Sequence, residues 1–194
     1  MSKSALRAAF GLTEKFIVGY SGNLGRAHEF DTLLEAASLL SHDGDIVFLM
    51  IGGGAGMLAL RQAVIRRGLD NFQFLPYQSR ASLLDSLAAA DVHWVSLLPA
   101  LEGLIVPSKV YGIFASARPV IFIGDQDGEI ARLIGPAQAG VTVAVGDARE
   151  LARRIVEFKT DSGRREAMGR NGHRLYLDNF TSQSALDRWT SLLR

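Results

Sequence analysis

Short β-branched or aromatic runs alternate with amphipathic stretches along the chain. Strands are predicted at residues 15–20 (KFIVGY), 45–51 (DIVFLMI), 71–75, 91–97 (DVHWVSL), 119–123 and 141–145. Between them, residues 31–40 place Leu33, Leu34, Ala37 and Leu40 on one helical face. Further helices are predicted over 57–67, around 80–89, after Pro107, near 129–134, and over 148–158, 164–179 and 182–193. Strands separated by single helices require right-handed crossovers and a parallel sheet with helices on both faces. The expectation is an α/β, Rossmann-like fold in one domain spanning residues 1–194, without linker or repeat. In such sheets ligands bind beyond the carboxyl ends of the strands, where the strand order reverses. The chemistry is therefore sought in the loops after Tyr20, Ile51, Leu75, Leu97 and Ile123.

Composition narrows the classes. The 194 residues are 48% hydrophobic and 21% charged, with 20 glycines in no collagen-like period. A net charge of +1 removes the bulk electrostatic case for nucleic acid or an anionic membrane surface. The charge is uneven: residues 149–194 carry 10 basic and 6 acidic side chains. We read that end as a solvated helix face, with lipid head groups or a partner as the alternative. Zero cysteines exclude disulfides, Cys-ligated zinc and iron–sulfur clusters, and fit a cytoplasmic chain, with peripheral contact at the inner membrane face left open. The chain start shows no secretory signal pattern, and no long uncharged apolar stretch suits a spanning helix.

Three loops carry candidate chemistry. The turn Gly22-Asn23-Leu24-Gly25-Arg26 can bring backbone donors and a guanidinium to a phosphate, or simply need glycine geometry. The turn Gly52-Gly53-Gly54-Ala55-Gly56 satisfies G-x-G-x-x-A through Ala59, yet follows the second strand. Its nearest acid, Asp70, precedes a strand instead of ending one. Close passage of a ligand or a neighbouring loop is the better reading than nicotinamide binding. The third loop joins Glu102, Gly103 and Leu104 to Pro107, Ser108 and Lys109. Proline suits a first helical turn, and a lysine there reinforces an anion site. Glu102 is better placed to accept hydrogen bonds from sugar hydroxyls or to face an oxocarbenium-like centre. His28, at the opening of a helix, is read as a cap-region residue in preference to a phosphate contact, and His93 as an interior histidine in preference to a functional one. His42 and His173 are read as surface residues, and Trp94 and Trp189 as packing. The histidines offer no i, i+4 metal pair, and no G-x-S-x-G elbow is present.

The ordered set GYSGNLGR, LLEAASLL, DIVFLMIGGG, NFQFLPY, LLDSLAAADVHWVSLLP, EGLIVPSKVY, ARPVIFIGDQDGEIARLI, AGVTVAVGD and R-x-x-M-G-x-N-G-H-R resembles a known family. The likeness is to the C-terminal half of GT-B glycosyltransferases of the retaining, nucleotide-sugar-using group 1 family, from about Phe16 to Arg194. It implies a donor domain that needs no metal ion. On that likeness Gly22, Asn23 and Gly25 approach the diphosphate, and Leu75, Pro76 and Tyr77 meet the base. Glu102, Gly103 and Leu104 match the first acid of the E-x7-E motif and the following phosphate-binding segment. Asp127, Gly128 and Glu129 resemble a stretch beside the donor sugar. Departures are equally specific. The second motif acid falls at Gly112, with nine residues between it and Glu102 instead of seven. The usual Arg and Lys of the first loop align with Asn23 and His28, so Arg26 and Lys109 supply the positive charge.

The resulting expectation is the donor-binding half of a retaining glycosyltransferase, with a UDP-sugar favoured and a lipid-linked or polysaccharide acceptor. The acceptor half would lie in a missing N-terminal domain or a partner chain, and the isolated domain would transfer nothing. The rivals are a degenerate, non-catalytic donor module, a sugar-nucleotide epimerase half and, more distantly, a dinucleotide oxidoreductase.

Overall fold

The computed structural model describes residues 5–192; Leu193 and Arg194, at the end of the last predicted helix and of the family resemblance, lie outside the described residues. Strands β1 (Phe16–Asn23), β2 (Ile46–Gly53), β3 (Phe72–Leu75), β4 (Val92–Ser96), β5 (Val120–Ile123) and β6 (Gly140–Val143) form one sheet. Its order is β3-β2-β1-β4-β5-β6 and every pairing is parallel. The helices among the described residues are α1 (Ala5–Ala9), α2 (Asp31–Leu39), α3 (Ala55–Arg67), α4 (Leu83–Ala88), α5 (Lys109–Ala115), α6 (Glu129–Ile134), α7 (Ala148–Thr160), α8 (Ser162–Asn179) and α9 (Ser182–Leu192).

Both faces of the sheet are covered, so its central strands read as unbroken apolar runs. Alternation assigns the faces. Phe16, Val18 and Tyr20 of β1, Phe48 and Met50 of β2, and Trp94 of β4 pack with α2, α3 and α7. On the opposite face, Val95, Val120 and Phe122 pack with α5 and α6, while Ile17, Leu49 and Ile51 pack with α1 and α4. Full burial of such side chains contributes about 1.5–3 kcal/mol each.

The structure departs from the sequence reading at several points, each with a local cause. Helix α1 is too short to show a period. It is held by tertiary contacts: Arg7 pairs with Asp91 and donates to the Ala89 carbonyl (2.7 Å), while Leu6 is buried. The predicted helix around 80–89 is a 3-10 turn at Arg80–Ser82 followed by α4. Helix α5 begins two residues after Pro107, whose carbonyl accepts the Val110 N–H (3.1 Å). Trp189 does not pack: with Leu186 and Leu192 it stands exposed on α9, which buries none of its residues. His173 is half-buried, its Nδ1 3.3 Å from the Phe114 carbonyl. His93 is interior as expected; Nε2–H donates to the Leu87 carbonyl (2.8 Å), and burial lowers its pKa to about 4. In the basic C-terminal stretch Arg153 and Arg154 both bridge Glu150 and Glu157, while Lys159 pairs with Asp43.

Strands β1 and β2 run beyond their predicted ends, through Gly22↔Gly52 and Asn23↔Gly53. Only glycine permits this at position 52. Its φ is +125°, and a Cβ there would lie 2.1 Å from the Gly22 carbonyl oxygen. Gly52→Ala is expected to lower the unfolding free energy by about 2 kcal/mol or more. Gly44→Ala, where a Cβ meets nothing within 4 Å, is expected to leave stability unchanged or slightly raised. Urea unfolding of the two variants checks both.

Candidate functional site

Strand β1 pairs with β2 over eight positions but with β4 over only two, Val18↔Val92 and Gly19↔His93. Beyond Gly19 the two strands part, and their carboxyl ends open a crevice where the strand order reverses. A cleft of about 540 Å³ occupies it. Gly22, Asn23 and His28 border it after β1, Tyr77 after β3, Leu97 after β4, and Pro107, Ser108 and Lys109 at the start of α5.

Lys109 is its electrostatic centre. The ammonium donates to Tyr20 Oη (2.5 Å) and to His28 Nε2 (3.0 Å), and lies 4.2 Å from the centre of the Tyr20 ring. Among the described residues no carboxylate forms an ion pair with it. Burial lowers its pKa to about 7, because charge is costly away from water without a counter-ion. Burial likewise pushes the Tyr20 hydroxyl well above its ordinary value, so it remains protonated and donates to the Asn23 carbonyl (2.8 Å). Beneath it the Tyr20 ring packs on Trp94, centroids 4.9 Å apart.

His28 is not the cap residue expected from sequence. It lies before the end of the loop, and Glu29 accepts the Thr32 N–H of α2 instead (2.8 Å). The His28 ring turns into the cleft, with Nδ1 2.8 Å from the Ser96 carbonyl. No local pattern could have revealed this, since Ser96 and Lys109 are 68 and 81 residues away.

Of the other candidates, Gly22, Asn23, Tyr77, Ser108 and Lys109 meet around the cleft, and Gly112 lines it as well. Gly25 and Arg26 do not line it, and Arg26 is exposed. Leu75 borders an adjacent hollow of about 360 Å³ with Phe74 and Arg61. Gly103 and Leu104 are exposed outside the cleft, and the Leu104 N–H is already donated to Leu101 (3.1 Å). Glu102 faces α6: Oε1 accepts the Glu129 N–H (2.6 Å), while Oε2 is buried without a partner. A Cβ on Gly128 would come within 2.7 Å of that carboxylate, which explains the glycine between Asp127 and Glu129. The second glycine turn serves the neighbouring loop. A Cβ on Gly54 would meet Asn23 Oδ1 at 2.3 Å, and the Gly56 N–H donates to the Leu24 carbonyl (2.8 Å).

A parallel sheet wound with helices on both faces thus opens a cleft at its switch point, the place where such sheets take ligands. The family described as Glycosyl transferases group 1 matches residues 2–175, and the chain belongs to that family. The putative colanic acid biosynthesis glycosyl transferase WcaI of Escherichia coli K12 is 32% identical over 130 residues, 66% of this chain and 32% of that protein. The chain spans about a third of the length of the curated relatives it matches. Among solved structures, Anabaena Alr3699/HepE in complex with UDP-glucose superposes with a TM-score of 0.80 at 19% identity, covering 98% of this chain and 51% of that one. The C-terminal domain of the group 1 family protein LpcC from Francisella tularensis gives 0.73 at 20% identity, covering 94% of both chains. These structures share the GT-B half-fold.

The lowered Lys109 pKa makes stability depend on pH in a definite direction. Between about pH 7 and the ordinary lysine value near 10.4, the unfolded chain holds a proton that the folded chain has released. Folding is therefore favoured progressively as pH rises through that window. Lys109→Arg cannot deprotonate. The wild-type chain is expected to gain on this variant by about 1 kcal/mol per pH unit between pH 7 and 9, read by urea unfolding of both.

Proposed function

We infer that this chain is the donor half of a retaining glycosyltransferase, binding a nucleotide-sugar, with a UDP-sugar favoured, in the switch-point cleft. The observation that carries this reading is the Lys109 ammonium, partly desolvated and without a carboxylate partner. In such surroundings a cation interacts with a diphosphate more strongly than it does in water. The UDP-glucose complex of the HepE protein, with its matching fold, supports the same ligand class. We assign the diphosphate to Lys109, Ser108 and the backbone at Gly22 and Asn23, with no metal ion required. The base is assigned to the Tyr77 side of the cleft. Glu102 is assigned to the donor sugar: one oxygen holds α6 and the other has no hydrogen-bond partner.

Transfer itself calls for an acceptor half, in the same polypeptide or in a partner, and a lipid-linked or polysaccharide acceptor. Tyr77, Leu83, Ile105 and Val106 leave apolar surface exposed among the residues lining the cleft, as expected of a surface that a second half covers. Catalysis would then be positioning and stabilisation of the departing diphosphate, without a protein nucleophile. One observation favours a second reading, a non-catalytic donor-like module: Gly112 borders the cleft where the family carries its second acid.

Calorimetric titration with UDP, GDP and their sugar conjugates separates the two readings. Saturable binding of one nucleotide, unchanged by EDTA, is expected for the donor half. Lys109→Ala should weaken it by about tenfold or more, the value of a hydrogen bond to a charged group. Glu102→Ala should leave UDP binding intact and weaken only the UDP-sugar. A Cβ at Gly112 has ordinary contact with Leu87 (3.5 Å) and Gly112 borders the cleft, so Gly112→Glu is the variant that restores an acid there. It should improve discrimination between UDP and 2′-deoxy-UDP. No binding of any nucleotide at millimolar concentration would favour the non-catalytic module.

A further inference from the structure

With the His28 ring neutral, as burial and then the Lys109 charge favour over the opposing pull of the Ser96 and Asn23 backbone, the hydrogen bonds around Lys109 have one consistent direction. The Ser96 carbonyl can only accept, so the His28 Nδ1 that meets it at 2.8 Å carries the hydrogen. In the neutral ring Nε2 is then a lone pair, aimed at the Lys109 ammonium 3.0 Å away. Ser96 is the last residue of β4 and is fully buried, so the anchor is part of the sheet. On the other side Tyr20 commits its hydrogen to the Asn23 carbonyl and accepts from Lys109 through its lone pair.

Two of the three ammonium hydrogens are thus taken by fixed neutral acceptors. The third is left for a ligand, and among the described residues no carboxylate offsets the charge the amine carries when protonated. The titratable groups that face this centre are Tyr20 from β1, His28 from the β1–α2 loop and Tyr77 from the loop after β3, which faces Tyr20. Protonation of His28 would turn Nε2 into a donor and place two positive charges 3.0 Å apart. Burial and the Lys109 charge both lower the His28 pKa, which keeps the ring neutral.

We propose that His28 is a positioning residue: locked in its Nδ1–H tautomer by Ser96, it holds the Lys109 ammonium in register for an anionic ligand. Only the identity of that ligand rests on the donor-half reading above. The arrangement also makes ligand binding proton-linked. Near pH 8 most of the Lys109 amine is neutral in the free chain, and it takes a proton from solvent as the diphosphate binds.

Two measurements on the whole chain test this. Nitrogen-15 NMR of the ligand-free protein at pH 7.5 should show His28 protonated at Nδ1 and bare at Nε2. An Nε2–H tautomer, or a doubly protonated ring, would overturn the proposal. The Lys109 titration midpoint, followed by carbon-13 NMR, should fall in His28→Leu, which lacks the acceptor. It should recover in His28→Gln, whose Oε1 restores it. Calorimetry with UDP in buffers of different ionisation enthalpy should then show proton uptake near pH 8 in the wild-type chain and none in Lys109→Arg. UDP affinity should drop about tenfold in His28→Leu at pH 7 and return in His28→Gln. An unchanged Lys109 midpoint in a folded His28→Leu variant refutes the positioning role whatever UDP does. Absence of UDP binding by the wild-type chain, with the NMR results as expected, would instead sink the donor-half reading alone.

Discussion

Eight pairings tie β1 to β2 and only two tie it to β4, and the cleft depends on that inequality. Because β1 stays with β2 to its end, its last residues are carried away from β4 and the space between must be filled otherwise. Tyr20 fills the base by packing on Trp94, and Lys109 and His28 close over it from α5 and the first loop. The same constraint explains the glycines. Extending the β1–β2 ladder brings Gly22, Asn23 and Leu24 against Gly52, Gly54 and Gly56, where a Cβ would collide.

The cleft is polarised without being neutralised. A buried ammonium beside a carboxylate would be more stable and would have little attraction left for an anion. Here its partners are a phenol and an imidazole, both held neutral, so the energetic penalty of the buried charge stands in the free chain and an anion would relieve it. This is the stability–function exchange expected of a binding site.

Glu102 ties two segments of the fold together. Its carboxylate satisfies the first N–H of α6, and it fixes the segment that leads to Pro107 and Lys109. The glycine at 128 exists to admit it.

Local pattern was enough to read the strands, most helices, the parallel sheet and the loops in which the site falls. Period and burial are local properties, and each strand–helix unit records its own inward face. The glycine turn at 52–56 was legible as a place of close approach, and Lys109 as a cation at a helix start. Sequence could not say which loop approaches those glycines, that Glu102 turns to α6 27 residues on, or that Trp189 finds nothing to pack on. Nor could it show His28 and Tyr20 converging on Lys109 from 81 and 89 residues away. Those meetings are set by the order of strands in the sheet, and strand order leaves no periodic trace in the residues it brings together.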